Sequence, residues 1–277
     1  MALIDINIPP GVYRNGTDLQ SVGRWRDTNL VRWIDGTIRP LGGWRTRSDT
    51  AAAAKVRGMM AWSDNGLDRR IAVGTYDKLY TYNMAGTQSD ITPVGLSAGR
   101  EDASAATGYG GGLYGQEYFG TPRLEAARID PATSWAMQPW GEYLVACNRD
   151  DGKIYEWQLN ASAVAAVLSN APTNNQSIVV TEERFLLALG AGGNSRKVQW
   201  CDRESNTVWT PSATNEAGDL TLQTTGEIMA GVRAQGQTLI LTSTDAHSAT
   251  YLGPPYVYGI DQVGASCGLA AHLAYAT

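Results

Sequence analysis

Ser177-Ile178-Val179-Val180, an acidic turn at Glu182-Glu183-Arg184, then Phe185-Leu186-Leu187-Ala188-Leu189 open the stretch that decides the fold. A glycine-rich turn follows at Gly190-Ala191-Gly192-Gly193-Asn194, then Lys197-Val198-Gln199-Trp200 and, after Asp202 to Asn206, Thr207-Val208-Trp209. The series then restarts with Ile228-Met229-Ala230-Gly231-Val232 and Thr238-Leu239-Ile240-Leu241-Thr242. Short apolar runs, rich in β-branched and aromatic side chains and cut by Gly, Asn and Asp, read as antiparallel strands. Four strands and a restart are the period of a propeller blade, so the expected fold is an all-β propeller of four-stranded antiparallel blades.

Working outward from this stretch, the same series begins at Val56. Val56 to Trp62, Arg70-Ile71-Ala72-Val73-Gly74 and Lys78-Leu79-Tyr80-Thr81-Tyr82 come first, with Asp90-Ile91-Thr92-Pro93 as a short edge strand where proline is tolerated. Ser134 to Gln138, Tyr143-Leu144-Val145-Ala146-Cys147 and Lys153-Ile154-Tyr155-Glu156-Trp157 form the next set. Ala161 to Leu168 reads either as a short helix or as a fourth strand. Repeats lie about 43 to 53 residues apart, near the ~40 to 50 of a blade, apart from one stretched interval. Cys267 to Thr277 reads as the inner strand of a fifth blade, which implies ring closure or a longer polypeptide; the latter is expected.

Three lysines, Lys78, Lys153 and Lys197, open the third strands as edge charges. The stretched interval holds an insertion over residues 98–133, with Tyr109, Tyr114, Tyr118 and Phe119 among glycines. Tyrosine supplies contact area at low entropic cost and glycine lets the backbone bend, so a contact loop is expected.

Residues 1–55 form an expected N-terminal arm ahead of blades over 56–277. Ile8-Pro9-Pro10-Gly11 is held extended by its prolines. Leu30 to Ile34, Asp35-Gly36 and Thr37-Ile38-Arg39 is a hairpin signal, because Asp-Gly accepts the positive φ angles of a type I′ turn. Through Arg47 the arm holds seven arginines against Asp5, Asp18, Asp27 and Asp35, a net +3 in a chain of net charge −5. These arginines either pair with acids on an outer face or dock the arm on a neighbouring subunit or a phosphate backbone. Candidate subunit-contact residues are therefore Arg24, Trp25, Arg26, Arg32, Trp33, Trp44 and Arg45, with Tyr109, Tyr114, Tyr118 and Phe119 of the insertion.

Composition narrows the chemistry. The 277 residues are 43% hydrophobic and 18% charged, a globular balance, and the acidic total argues against a general nucleic-acid surface. Thirteen Tyr and nine Trp against two Phe suit half-buried strand positions and subunit contacts. Three scattered cysteines, Cys147, Cys201 and Cys267, offer neither a metal-ligand spacing nor a disulfide framework, and the expected compartment is reducing. No run approaches the ~18 apolar residues of a membrane span, and no signal-peptide pattern opens the chain.

No enzyme is expected. His247 and His272 lack a neighbouring nucleophile motif. Ser63-Asp64-Asn65-Gly66 resembles an Asp-box turn but does not recur, and Asp150, Asp151, Asp202 and Asp219 sit where hairpin turns use Asp. Arg69-Arg70 and Arg100-Glu101-Asp102 read as solvated charge clusters. No cofactor is expected.

Dispersed motifs carry a family resemblance across most of the chain. Thr181-Glu182-Glu183-Arg184, Arg196 through Asp202, Trp209, Ala217-Gly218, Gly253-Pro254-Pro255-Tyr256 and Gly264 through Gly268 resemble the propeller of bacteriophage tail nozzle and packaged-DNA stabilisation proteins of short-tailed phages. Ala171-Pro172, Gly11 through Thr17, Arg32-Trp33 and Gly42-Gly43-Trp44-Arg45 are similar to parts of the same proteins. The resemblance implies a virion protein assembled in the host bacterial cytoplasm. It implies a hexameric ring through which genomic DNA passes without sequence-specific binding, beside adaptor, fibre or needle proteins. A lumen would then be acidic or neutral, since it must not grip phosphates. The alternatives are a receptor- or glycan-binding propeller at a tail tip and, further off, a polysaccharide-degrading glycosidase.

Overall fold

The computed structural model describes residues 8–43, 45–103 and 131–275. It divides into two compact units, Met1–Arg47 and Ser48–Thr277. In the first, β1 (Val31–Ile34) and β2 (Thr37–Pro40) form a two-stranded antiparallel sheet. Asp35 and Gly36 at its turn have φ of 50° and 74°, as the Asp-Gly reading requires.

The second unit is a β-propeller, whose described residues form four four-stranded antiparallel blades, each a simple meander. Blade one is β3 (Gly58–Ser63), β4 (Arg69–Gly74), β5 (Leu79–Tyr82) and β6 (Gln88–Asp90). Blade two is β7 (Trp135–Trp140), β8 (Tyr143–Asn148), β9 (Ile154–Trp157) and β10 (Ala166–Val167). Blade three is β11 (Ser177–Val180), β12 (Leu186–Leu189), β13 (Lys197–Trp200) and β14 (Gly218–Thr221). Blade four is β15 (Ile228–Ala234), β16 (Gln237–Thr242), β17 (Asp245–Gly253) and β18 (Val257–Ala265). The first strands β3, β7, β11 and β15 abut one another in chain order, so successive blades stack face to face.

Side-chain alternation explains why the middle blades read as unbroken apolar runs. In β12, Leu186 and Ala188 point into a core shared with blade two, while Leu187 and Leu189 point into a core shared with blade four. β8 repeats this, with Leu144 and Ala146 toward blade one and Val145 and Cys147 toward blade three. A strand covered on both faces has no polar side to show. Blade one alternates instead: β3 buries Gly58 and Trp62 and exposes Met59, Ala61 and Ser63.

The tryptophans depart from expectation. Trp62, Trp135, Trp140, Trp157, Trp200 and Trp209 are buried, chiefly between blades, where half-buried positions were expected. Five of these six indoles donate to internal carbonyls, among them Trp62 to Glu142 at 3.0 Å and Trp200 to Glu216 at 2.8 Å. Arginines lie over rings at each boundary between consecutive described blades: Arg70 over Trp157, Arg184 over Trp140 and Arg203 over Tyr251.

Three strand readings are corrected. Thr207-Val208-Trp209 is not the fourth strand of blade three; β14 is, and Trp209 instead turns into the core, its indole N–H bonded to the Asn206 carbonyl. The edge strand of blade one is Gln88–Asp90, after which Ile91 drops fully into the core beside Trp135. The described residues after Ala265 form no strand of a fifth blade. There the chain runs back along blade four, with the Cys267 amide on the Thr244 carbonyl and the Leu269 amide on the Thr242 carbonyl. Gly268 permits this, since a methyl there would lie 2.1 Å from the Ser243 backbone. Ala161 to Leu168 resolves as the fourth strand β10.

Candidate functional site

Arg24, Arg26, Arg32 and Arg45 are exposed, and Trp25 and Trp33 are half-buried. Arg26 pairs with Asp18, and Arg14 with Asp27 at 2.6 Å, so part of the cationic set meets acids within its own unit. Exposed pairs of this kind are worth little. Arg24 lies over the Tyr13 ring, 5.3 Å from its centroid. Trp33 crosses from Ile38 in the β1–β2 ladder, and its indole N–H is out of solvent without an acceptor among the described residues. Arg32 stands directly opposite Arg39. Leu19, Val22 and Leu30 are 85%, 77% and 66% exposed. Trp44, Tyr109, Tyr114, Tyr118 and Phe119 lie outside the described residues.

Within the propeller, a cavity of about 600 Å³ opens beside the leading ends of β3, β7 and β15. Its lining includes Arg57, Thr133, Arg149, Glu227, Met229 and His272. His272 reaches it from the C-terminal segment, its Nδ1 2.8 Å from the Met229 carbonyl. Burial, and secondarily the Arg149 charge, hold its pKa below the ordinary 6.5. Glu227 is the one carboxylate among the described lining residues, whereas glycoside hydrolysis uses a pair.

The aspartates singled out from sequence serve turns and ion pairs. Asp64 accepts the Gly66 and Asp68 amides, both at 3.0 Å, and pairs with Arg70. Asp151 accepts the Lys153 amide and the Tyr155 hydroxyl, and Asp202 accepts the Glu216 amide at 2.8 Å. Arg100 pairs with Asp150 at 2.7 Å, and Asp102 is shared by Lys55 and Arg57, so those clusters are ion-paired rather than merely solvated. Lys78 reaches Asp90 at 3.1 Å and Lys197 reaches Asp219 at 3.3 Å, each diagonally across the third and fourth strands in the same register.

A buried polar cluster escaped the sequence reading. Asp245 accepts both Thr224 and Thr242 hydroxyls, with His247 Nε2 at 3.3 Å and Gln262 at its other oxygen. Burial alone would raise the Asp245 pKa, but the Thr242 and Thr224 hydroxyls and His247 outweigh it and hold it below 3.8. Thr242 also caps its own turn, accepting the Asp245 amide at 2.9 Å, as Thr75 accepts the Lys78 amide at 2.9 Å in blade one. Thr-x-x-Asp at Thr242 and Thr-x-x-Lys at Thr75, each following an apolar strand, were the available signals. Among the described residues no group of three His, Cys, Asp or Glu side chains could hold a metal ion. None forms a helix long and apolar enough to cross a membrane.

No family model matches the chain, and no curated protein matches it in sequence. Among solved structures, BBS1N in complex with ARL6DN is similar over 82% of this chain at 12% identity and a TM-score of 0.43. The extracellular domain of BT4673 from B. thetaiotaomicron is similar over 79% at 12% identity and a TM-score of 0.35. This chain spans 53% of the first and 29% of the second. At such scores no shared function follows.

Proposed function

We propose that the protein is a non-catalytic structural subunit of a bacteriophage tail, in which the propeller is a rigid wall and the arm fastens one subunit to the next. The observation that carries this reading is the arm itself. Met1–Arg47 is a separate unit of net +3 that leaves Leu19, Val22 and Leu30 largely in water. Apolar side chains beside exposed arginines are the composition of an interface before its partner arrives. The propeller supplies the complement, since residues 48–277 carry the remaining net −8. The viral identity rests on the sequence resemblance to tail nozzle proteins, from which the six-fold ring and the passage of DNA also come.

Light scattering and electron microscopy of the purified chain test it. A rotationally symmetric ring is expected. A stable monomer at high concentration overturns the reading, and saturable glycan binding lost on substituting Tyr109, Tyr114 and Tyr118 would replace it with a tail-tip receptor role.

A further inference from the structure

The four outer strands differ sharply in length. β6, β10 and β14 have three, two and four residues, whereas β18 has nine. Short outer strands are a common protection of sheet edges, and β18 lacks it. It pairs with β17 on one side and with no described strand on the other. Asp261, Gln262 and Val263 in its second half are exposed, Val263 by 59%. Asp261 is the one charge on the strand, and its carboxylate makes no ion pair or hydrogen bond among the described residues.

The arm holds the matching deficit. β1–β2 is a two-stranded sheet by itself, an arrangement of marginal stability in water. Arg32 and Arg39 face each other across it, a like-charge cross-strand pair that destabilises the hairpin, and neither guanidinium has an ion-pair or hydrogen-bond partner among the described residues. β2 ends in Pro40, which cannot donate to a ladder, while β1 contains no proline.

Resting on the assembly role above, we infer that the β18 edge is where the arm of a second copy docks. β1 of that copy adds to blade four as a fifth strand, and its Arg32 and Arg39 meet Asp261. Main-chain hydrogen bonds along the edge give affinity, as in other strand additions, and the opposed charges set the register. Because donor and acceptor surfaces differ, the contact is heterologous and propagates around a ring.

The test uses the full-length chain, with circular dichroism confirming that each variant is folded. Association is followed by light scattering, and amide exchange across Val257–Ala265 is measured over a range of protein concentrations. Wild type should associate, and its β18 amides should gain protection as concentration rises. Asp261→Lys with Val263→Lys, and separately Arg32→Glu with Arg39→Glu, should each weaken association at least ~10-fold. All four changes in one chain should recover it. Association that survives D261K/V263K overturns the edge assignment while leaving arm-mediated assembly standing. β18 protection independent of concentration shows the edge filled otherwise than by a second copy, and also overturns it. A monomeric wild type overturns the assembly role together with this inference.

Discussion

The indole N–H of Trp135, at the start of β7, donates to the carbonyl of Thr75 in the β4–β5 turn at 2.7 Å, so blade two is tied to blade one by a hydrogen bond buried inside their shared core. Both residues are out of solvent, and Gly74 leaves the room: a methyl there would stand 2.4 Å from the ring. A buried carbonyl stripped of its donor costs about 1–3 kcal/mol.

Trp135→Phe should therefore lose about that amount, and Trp135→Ala about 3–5 kcal/mol through the added cavity. Gly74→Ala should cost about 1–3 kcal/mol by overpacking. Urea unfolding of the whole chain reads all three; a Gly74→Ala protein as stable as wild type would show that the ring is not held where described.

Between blades three and four, the hydroxyls of Thr181 and Tyr258 meet at 2.9 Å, and Tyr258 also packs edge-on against Phe185 and Trp200. Thr181→Val and Tyr258→Phe should each destabilise by about 0.5–1.5 kcal/mol, with the double variant costing less than the sum. Strict additivity in that cycle would deny the bond.

Burial, and after it the Arg149 charge, hold the His272 pKa below its ordinary 6.5 against the Met229 carbonyl and Glu227. The unfolded segment takes up a proton near the ordinary 6.5 that the folded one refuses, so stability falls as pH drops from about 7 toward about 5. Exchange at the Cys267 and Leu269 amides, which bond to the β16–β17 turn, should quicken over that range beyond its intrinsic pH dependence. His272→Gln should abolish the excess.

Asp245 behaves oppositely in its window. Its carboxylate stabilises the fold above 3.8 and loses that contribution as pH falls through its lower folded value. Acid unfolding of Asp245→Asn should be shallower below about pH 4, and an unchanged acid limb would refute the buried network.

Thiol labelling should separate one cysteine from two. Cys267 is exposed, while Cys147 and Cys201 are buried, with burial pushing the Cys147 thiol up and the Cys201 thiol up to about 12. One equivalent of iodoacetamide should react in buffer and three in denaturant. Rapid native labelling at three sites would mean an open propeller.

Local pattern made the blades legible. Ser177–Val180 and Leu186–Leu189 are wholly buried because a neighbouring blade lies on each face, and an unbroken apolar run is how that condition is written in a chain. The Asp35-Gly36 turn was equally plain, since the φ angles it needs belong to few residues. Thr207 to Trp209 misled because β-propensity cannot distinguish a ring on a strand from a ring folded back over its own turn.

Chain order and residue type were enough to establish repeated four-stranded sheets behind a basic arm, because side-chain period and turn chemistry act over a few residues. Which indoles would be buried, that Thr224, Thr242 and Gln262 would gather around Asp245, and that β18 would run nine residues with no described strand on its outer side were decided only by folding. Those relations join residues that approach only after the sheets have stacked, and no local propensity encodes a distance between separate strands.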